Sequence, residues 1–107
     1  MRIALLPAAL CCLMTAAAAP PPPPTEHVIE MARMRFGPAP ANLKVGDTIV
    51  WVNRDIVPHT ATARDRSFDV TIKPRQSARV TVRRAGTIAI YCRFHPTMKG
   101  ALRVAAR

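Results

Sequence analysis

From residue 27 onward, apolar and polar residues alternate with a period of two in short runs. In Gln76–Arg84, Ala78, Val80 and Val82 point one way, while Ser77, Arg79, Thr81 and Arg83 point the other. Thr48–Asn53 is built from strand-forming residues, with Trp51 reading as core, and Phe68–Ile72 is a second such run. In Thr87–Cys92, Ile88 and Ile90 share a face with Cys92; in Ala101–Ala105, Leu102 and Val104 flank Arg103. A weaker alternation over His27–Phe36 predicts an opening strand. Turns fall at Val45-Gly46-Asp47 and Ala85-Gly86, and no stretch sustains a helical period. The pattern predicts an all-β sandwich in a single domain with no internal repeat.

The N-terminus reads differently. Arg2 precedes an apolar run from Ile3 to Met14, and small residues follow. That is the layout of an export signal, and the run is too short to span a bilayer. The expected organisation is a signal peptide at 1–18, a proline-rich linker at 19–26 containing Pro20–Pro24 in extended form, and a folded domain at 27–107. The competing reading of the first segment is an uncleaved membrane anchor. Leu10 before Cys11 does not suit a lipoprotein signal, so Cys11 and Cys12 are expected to leave with the signal. The mature chain then keeps one cysteine, Cys92, in an oxidising compartment, where a lone thiol needs an occupant such as a metal.

The chain has 107 residues and a formal charge of +10, with 13 Arg against 3 Lys. A domain this small has a marginal core that metal ligation would support. The basic charge reads either as a general composition bias or as attraction to an acidic partner or an anionic surface. Nucleic acid is not expected as a partner: the chain reads as exported, and its basic residues are spread along strands.

Candidate chemistry concentrates in Cys92-Arg93-Phe94-His95-Pro96-Thr97-Met98, with His59 upstream in Val57-Pro58-His59-Thr60. Two imidazoles, one thiolate and a thioether make the donor set of a blue copper site; structural zinc rarely takes a thioether. Taken singly, each residue has a plainer role: His59 as a surface polar group, Cys92 as a small buried hydrophobe, Met98 as packing. Together they form one metal-binding set. His27 is expected to face solvent, and Met31 and Met34 to pack. Cys-His nucleophilic catalysis is disfavoured because no Asn or Asp stands near His95 to orient it.

Val45-Gly46-Asp47-Thr48-Ile49-Val50-Trp51-Val52-Asn53-Arg54, then Pro58-His59, then Cys92-x-x-His95-Pro96-x-Met98-x-Gly100 resembles the cupredoxins, and within them the amicyanin-like small blue copper proteins. The resemblance runs through most of residues 27–105. It implies a Greek-key β-sandwich with one copper per chain, held by His59, Cys92, His95 and Met98, that shuttles single electrons between periplasmic redox partners. A monomer is the default for so small a shuttle, an enzyme is not expected because a blue site with its axial Met offers no open position for substrate, and no stable membrane insertion is expected. Buried His59 and surface-edged His95 are expected, with Phe94 and Pro96 as the docking patch and Arg93 biasing docking toward acidic partners. The alternative function is periplasmic copper binding or delivery without electron shuttling; a third is a small β interaction domain. Three departures carry consequences. Thr60 stands where the family has Asn and is expected to tie the two ligand loops less fully. Arg93-Phe94 replaces Thr-Pro, so a Phe94 N–H exists that could reach the Cys92 sulfur and raise the potential. The segment from His59 to Cys92 is short, which would trim a strand or loop.

Overall fold

The computed structural model describes residues 2–20 and 22–107. Residues 2–20 carry no helix or strand, and Ile3, Leu5, Leu6, Leu10, Leu13 and Met14 are all exposed. Among the described residues no helix is long and apolar enough to cross a membrane.

The described residues form eight strands: β1 (Glu26–Ala32), β2 (Arg35–Phe36), β3 (Thr48–Asn53), β4 (His59–Ala63), β5 (Asp69–Ile72), β6 (Ser77–Thr81), β7 (Gly86–Tyr91) and β8 (Lys99–Val104). They form two four-stranded sheets, ordered β2-β1-β3-β6 and β5-β4-β7-β8. β1 and β3 run parallel and the other pairings are antiparallel. Alternation turns Ile29 and Met31 of β1, Ile49 and Trp51 of β3, Ile88 and Ile90 of β7, and Leu102 and Val104 of β8 into one shared core. Trp51 is its centre, with Phe36 edge-on at 5.7 Å and Phe68 tilted at 6.2 Å between ring centroids. The all-β sandwich expected from the alternation is the observed fold.

Three details differ from the expectations. The opening segment His27–Phe36 is not one strand. Arg33 and Met34 adopt left-handed φ angles of 53° and 62°, folding β1 back onto β2 in a two-residue hairpin. Met34 therefore sits on a turn, partly exposed, while Met31 is fully buried. His27 is buried and not solvent-facing. It shares the inward face of β1 with Ile29 and Met31, so the alternation that buries them buries it too. Its Nε2 lies 2.8 Å from Oδ2 of Asp47, which is itself fully buried. Lastly, β4 shows no alternation because all five of its residues are buried. Ala61 and Ala63 belong to the core, and Thr60 and Thr62 are engaged on the opposite face.

Candidate metal centre

The site is built where β4 starts and β7 ends. Period two along β7 carries the side chain of Cys92 inward with Ile88 and Ile90, so its sulfur emerges at one end of the core. Two backbone bonds then close the following loop. Met98 N–H donates to the His95 carbonyl at 2.9 Å, and Cys92 N–H to the Met98 carbonyl at 3.0 Å. Cys92, His95 and Met98 are thereby held within one tight turn, and Met98 is only 2% exposed. His59 opens β4 and is fully buried, while His95 is partly exposed.

Three donor atoms converge there. Nδ1 of His59 lies 3.2 Å from Nδ1 of His95, and Cys92 Sγ lies 3.9 Å and 3.5 Å from the same two atoms. A point equidistant from all three is about 2.1 Å from each, the length of a first-row metal–imidazole bond and slightly under a metal–thiolate bond. The imidazole rings meet edge-to-face, 73° apart, with centroids separated by 5.0 Å.

Asp55 determines what His59 offers. Its Oδ2 lies 2.6 Å from His59 Nε2. A carboxylate can only accept, so Nε2 carries the proton and Nδ1 keeps its lone pair toward Cys92 and His95. Two nitrogen lone pairs 3.2 Å apart repel unless a proton or a cation lies between them. The donor set therefore fits a bound metal ion, and a soft sulfur between two imidazoles suits copper.

Asp55 is itself held in place. It accepts from the successive N–H groups of Arg33 (2.8 Å) and Met34 (3.0 Å), a nest that the left-handed turn creates. Burial alone would raise its carboxyl pKa, but the bonds from His59, Met34 and Arg33 outweigh that and hold it below the ordinary carboxylate value. Fully buried Asn53 shapes the intervening loop. Its Nδ2 donates to the carbonyls of Val57 (2.8 Å) and Ile72 (3.1 Å), and its Oδ1 accepts from Asp55 N–H (2.9 Å). Asp55 lies outside the residues that the sequence analysis singles out. The available signal was a carboxylate four residues before a candidate ligand imidazole.

The hydrogen bond to the Cys92 sulfur comes from Thr60 N–H at 3.3 Å. Phe94 N–H is not among the sulfur's partners, so the idea that Phe94 tunes this thiolate is set aside. Thr60 also ties the ligand loops more completely than expected. Besides the bond to sulfur, its Oγ1 accepts from Arg93 N–H at 2.8 Å. Arg93 is less available for docking than its position suggested, because its Nε donates to Asp69 Oδ1 at 3.1 Å.

A β-sandwich with imidazole, thiolate and imidazole donors converging at one end defines a class of small metal-binding domains. The chain belongs to the cupredoxin-like domain family, whose family model matches residues 2–104. Within it the chain is amicyanin-like. Over 79 residues it is 30% identical to amicyanin of Paracoccus denitrificans and 26% identical to amicyanin of Paracoccus versutus, each match covering 68% of this chain. The chain spans 60% of the length of these curated relatives. Among solved structures, a reduced amicyanin bearing a proline-to-phenylalanine substitution superposes with a TM-score of 0.63 at 32% identity, covering 75% of this chain and 82% of that one. The Cu(I) form of a methionine-to-alanine amicyanin superposes with a TM-score of 0.64 at 31% identity, with the same coverage.

Proposed function

We propose that this chain is an exported single-electron carrier holding one copper ion through His59, Cys92, His95 and Met98. The observation that carries this reading is the triangle of donor atoms, 3.2, 3.5 and 3.9 Å on its sides, closed around a point at metal-bond distance. Copper, when bound, supplies a one-electron couple between Cu(I) and Cu(II). The protein's part is to hold the ligands still through both states. Burial of His59, Cys92 and Met98 excludes water, and the Asp55 bond fixes one imidazole. One electron enters from a donor protein and one leaves to an acceptor, with no bond made or broken in the chain.

Exchange takes place at the His95 edge, the one partly exposed member of the set. Phe94, 47% exposed, offers apolar contact beside it. Without Arg2, which leaves with the export signal, 15 basic and 6 acidic residues give a formal charge of +9, which favours acidic partners, although Asp69 takes up part of the Arg93 charge. Residues 1–18 are an export signal, and a linker from residue 19 leads up to β1, which takes in Glu26; support for the signal comes from the apolar side chains of Ile3–Met14, which stand exposed and outside the core. The working compartment is the periplasm, the working form a monomer.

The test is the absorption spectrum of the protein with Cu(II) added. An intense visible thiolate-to-copper band that disappears on reduction, and is missing in Cys92→Ser, is the expected result. Copper binding without that band would favour copper delivery over electron transfer. No binding at all would overturn the ligand assignment.

A further inference from the structure

Beside the donor atoms lies a second set of side chains that no ligand role accounts for: Thr60, Thr62, Asp69 and Arg93. Thr60 and Thr62 project from the same face of β4, and Thr62 is in register with Asp69 on the neighbouring strand β5. Thr60 Oγ1 lies 2.9 Å from Thr62 Oγ1, and Thr62 Oγ1 lies 2.8 Å from Asp69 Oδ1. Arg93 reaches both ends of this row. Its N–H donates to Thr60 Oγ1 at 2.8 Å, and its Nε donates to Asp69 Oδ1 at 3.1 Å.

The direction of every bond follows by elimination. The Thr62 hydroxyl and the Arg93 guanidinium hold the Asp69 carboxyl below its ordinary pKa, so near neutral pH it only accepts. Thr62 O–H must therefore donate to Asp69. The Thr62 oxygen is left to accept, so Thr60 O–H donates to it. The Thr60 oxygen in turn accepts Arg93 N–H. The row starts at the Arg93 backbone and returns to the Arg93 side chain, a closed ring in which each hydroxyl both donates and accepts. From Arg93 N–H to Asp69 the bonds all point one way, so that stretch polarises and strengthens cooperatively, and the Arg93 guanidinium meets the same carboxylate from the other side.

We propose that Asp69, through Thr62, is a positioning residue for the metal loop: the ring clamps Arg93 against Thr60 and so keeps Thr60 N–H on the Cys92 sulfur before any metal arrives. The consequence for the potential rests on the copper reading above; the clamp itself does not. Asp69 is half exposed and hydrogen-bonds to none of the four candidate ligands, yet it stands two hydrogen bonds from Thr60, whose N–H faces the thiolate.

The experiment is amide hydrogen exchange on the metal-free full chain. Thr62→Val keeps the shape and removes the hydroxyl. Exchange at Thr60 and Arg93 N–H should speed up about fivefold to tenfold, the scale of one net hydrogen bond. Ile49 and Leu102 should stay unchanged, and Thr62→Ser should restore wild-type rates. Unchanged exchange at Thr60 and Arg93 in folded Thr62→Val would overturn the proposal. If Thr62→Val fails to fold, Asp69→Ala, at a half-exposed site, carries the same test: accelerated exchange at both amides supports the clamp, and unchanged exchange overturns it. In copper-loaded protein, weakening the bond from Thr60 leaves more electron density on the thiolate and should lower the reduction potential. Accelerated exchange without copper binding would leave the clamp standing and sink the copper reading alone.

Discussion

His59 Nε2 and Asp55 Oδ2 stand 2.6 Å apart, and this one contact links the β1–β2 hairpin to the candidate ligand set. The carboxylate that fixes the imidazole is itself fixed by the Arg33 and Met34 amides. Removing it frees both the ring and the turn. Asp55→Ala should lower copper affinity 10- to 100-fold, the usual cost of losing a hydrogen-bond partner behind a ligand histidine. Asp55→Asn, which keeps an acceptor, should lose less. Competition against a chromophoric copper chelator measures both, and equal affinity in wild type and Asp55→Ala would show that the contact does not orient His59.

Met98 separates packing from ligation. It is almost fully buried, and leucine has a similar volume, so Met98→Leu should cost less than about 1.5 kcal/mol in the metal-free protein. The loaded protein should respond differently. A thioether donates to the more electron-poor Cu(II) more than to Cu(I), so losing it should raise the reduction potential. Urea unfolding of the metal-free form and voltammetry of the loaded form give the two readings. An unshifted potential would leave Met98 as packing.

The Arg33-Met34 turn is costly as built, since both residues hold left-handed φ angles that their Cβ atoms disfavour. Asn-Gly suits such a two-residue turn. Arg33→Asn with Met34→Gly should therefore stabilise the domain by about 1 kcal/mol, raising Tm by roughly 4–8 °C. The N–H groups that hold Asp55 remain, so copper affinity should not change. Thermal unfolding with an affinity measurement checks both halves.

The fold was readable where one face of a strand is wet. β3, β6, β7 and β8 alternate, and their inward residues are those the period picks out. β4 was not readable, because a strand buried on both faces has no alternation to detect. The break at Arg33-Met34 carries no Gly, Asn or Pro to announce it. Cys92, His95 and Met98 could be read as a group because they lie within one loop, and His59 entered through the resemblance and the chemistry of the set. Thr62, Asp69 and Asn53 act through cross-strand and loop contacts, and short polar residues on strands give no signal of that. His27 shows the opposite failure. The alternation of β1 places it inside, and closeness to the N-terminus does not override that pattern.

Burying His27 required a partner, and Asp47 supplies more than one bond. Its Oδ1 accepts from Thr25 N–H at 2.9 Å and Lys44 Nζ at 3.0 Å; its Oδ2 accepts from His27 Nε2 at 2.8 Å and Lys44 N–H at 3.1 Å. Burial alone would raise the Asp47 pKa, but the bonds from Thr25, His27 and Lys44 outweigh it and hold the carboxyl far below its ordinary 3.8. A folded-state pKa below the unfolded one means the carboxylate stabilises the fold above that ordinary value. The contribution is lost as pH falls below it toward the folded-state value. Asp47→Asn leaves His27 and Lys44 facing a neutral group and should cost about 3 kcal/mol near neutral pH. The gap between wild type and variant should hold down to about pH 5 and then close, because below the unfolded pKa the wild type surrenders what the variant never had. Asp55, Asp65 and Asp69 are also held below the ordinary value and acidify in both proteins, so the difference between the two urea curves isolates Asp47. A gap that stays constant to pH 3 would show that the cluster acts by packing and not by charge.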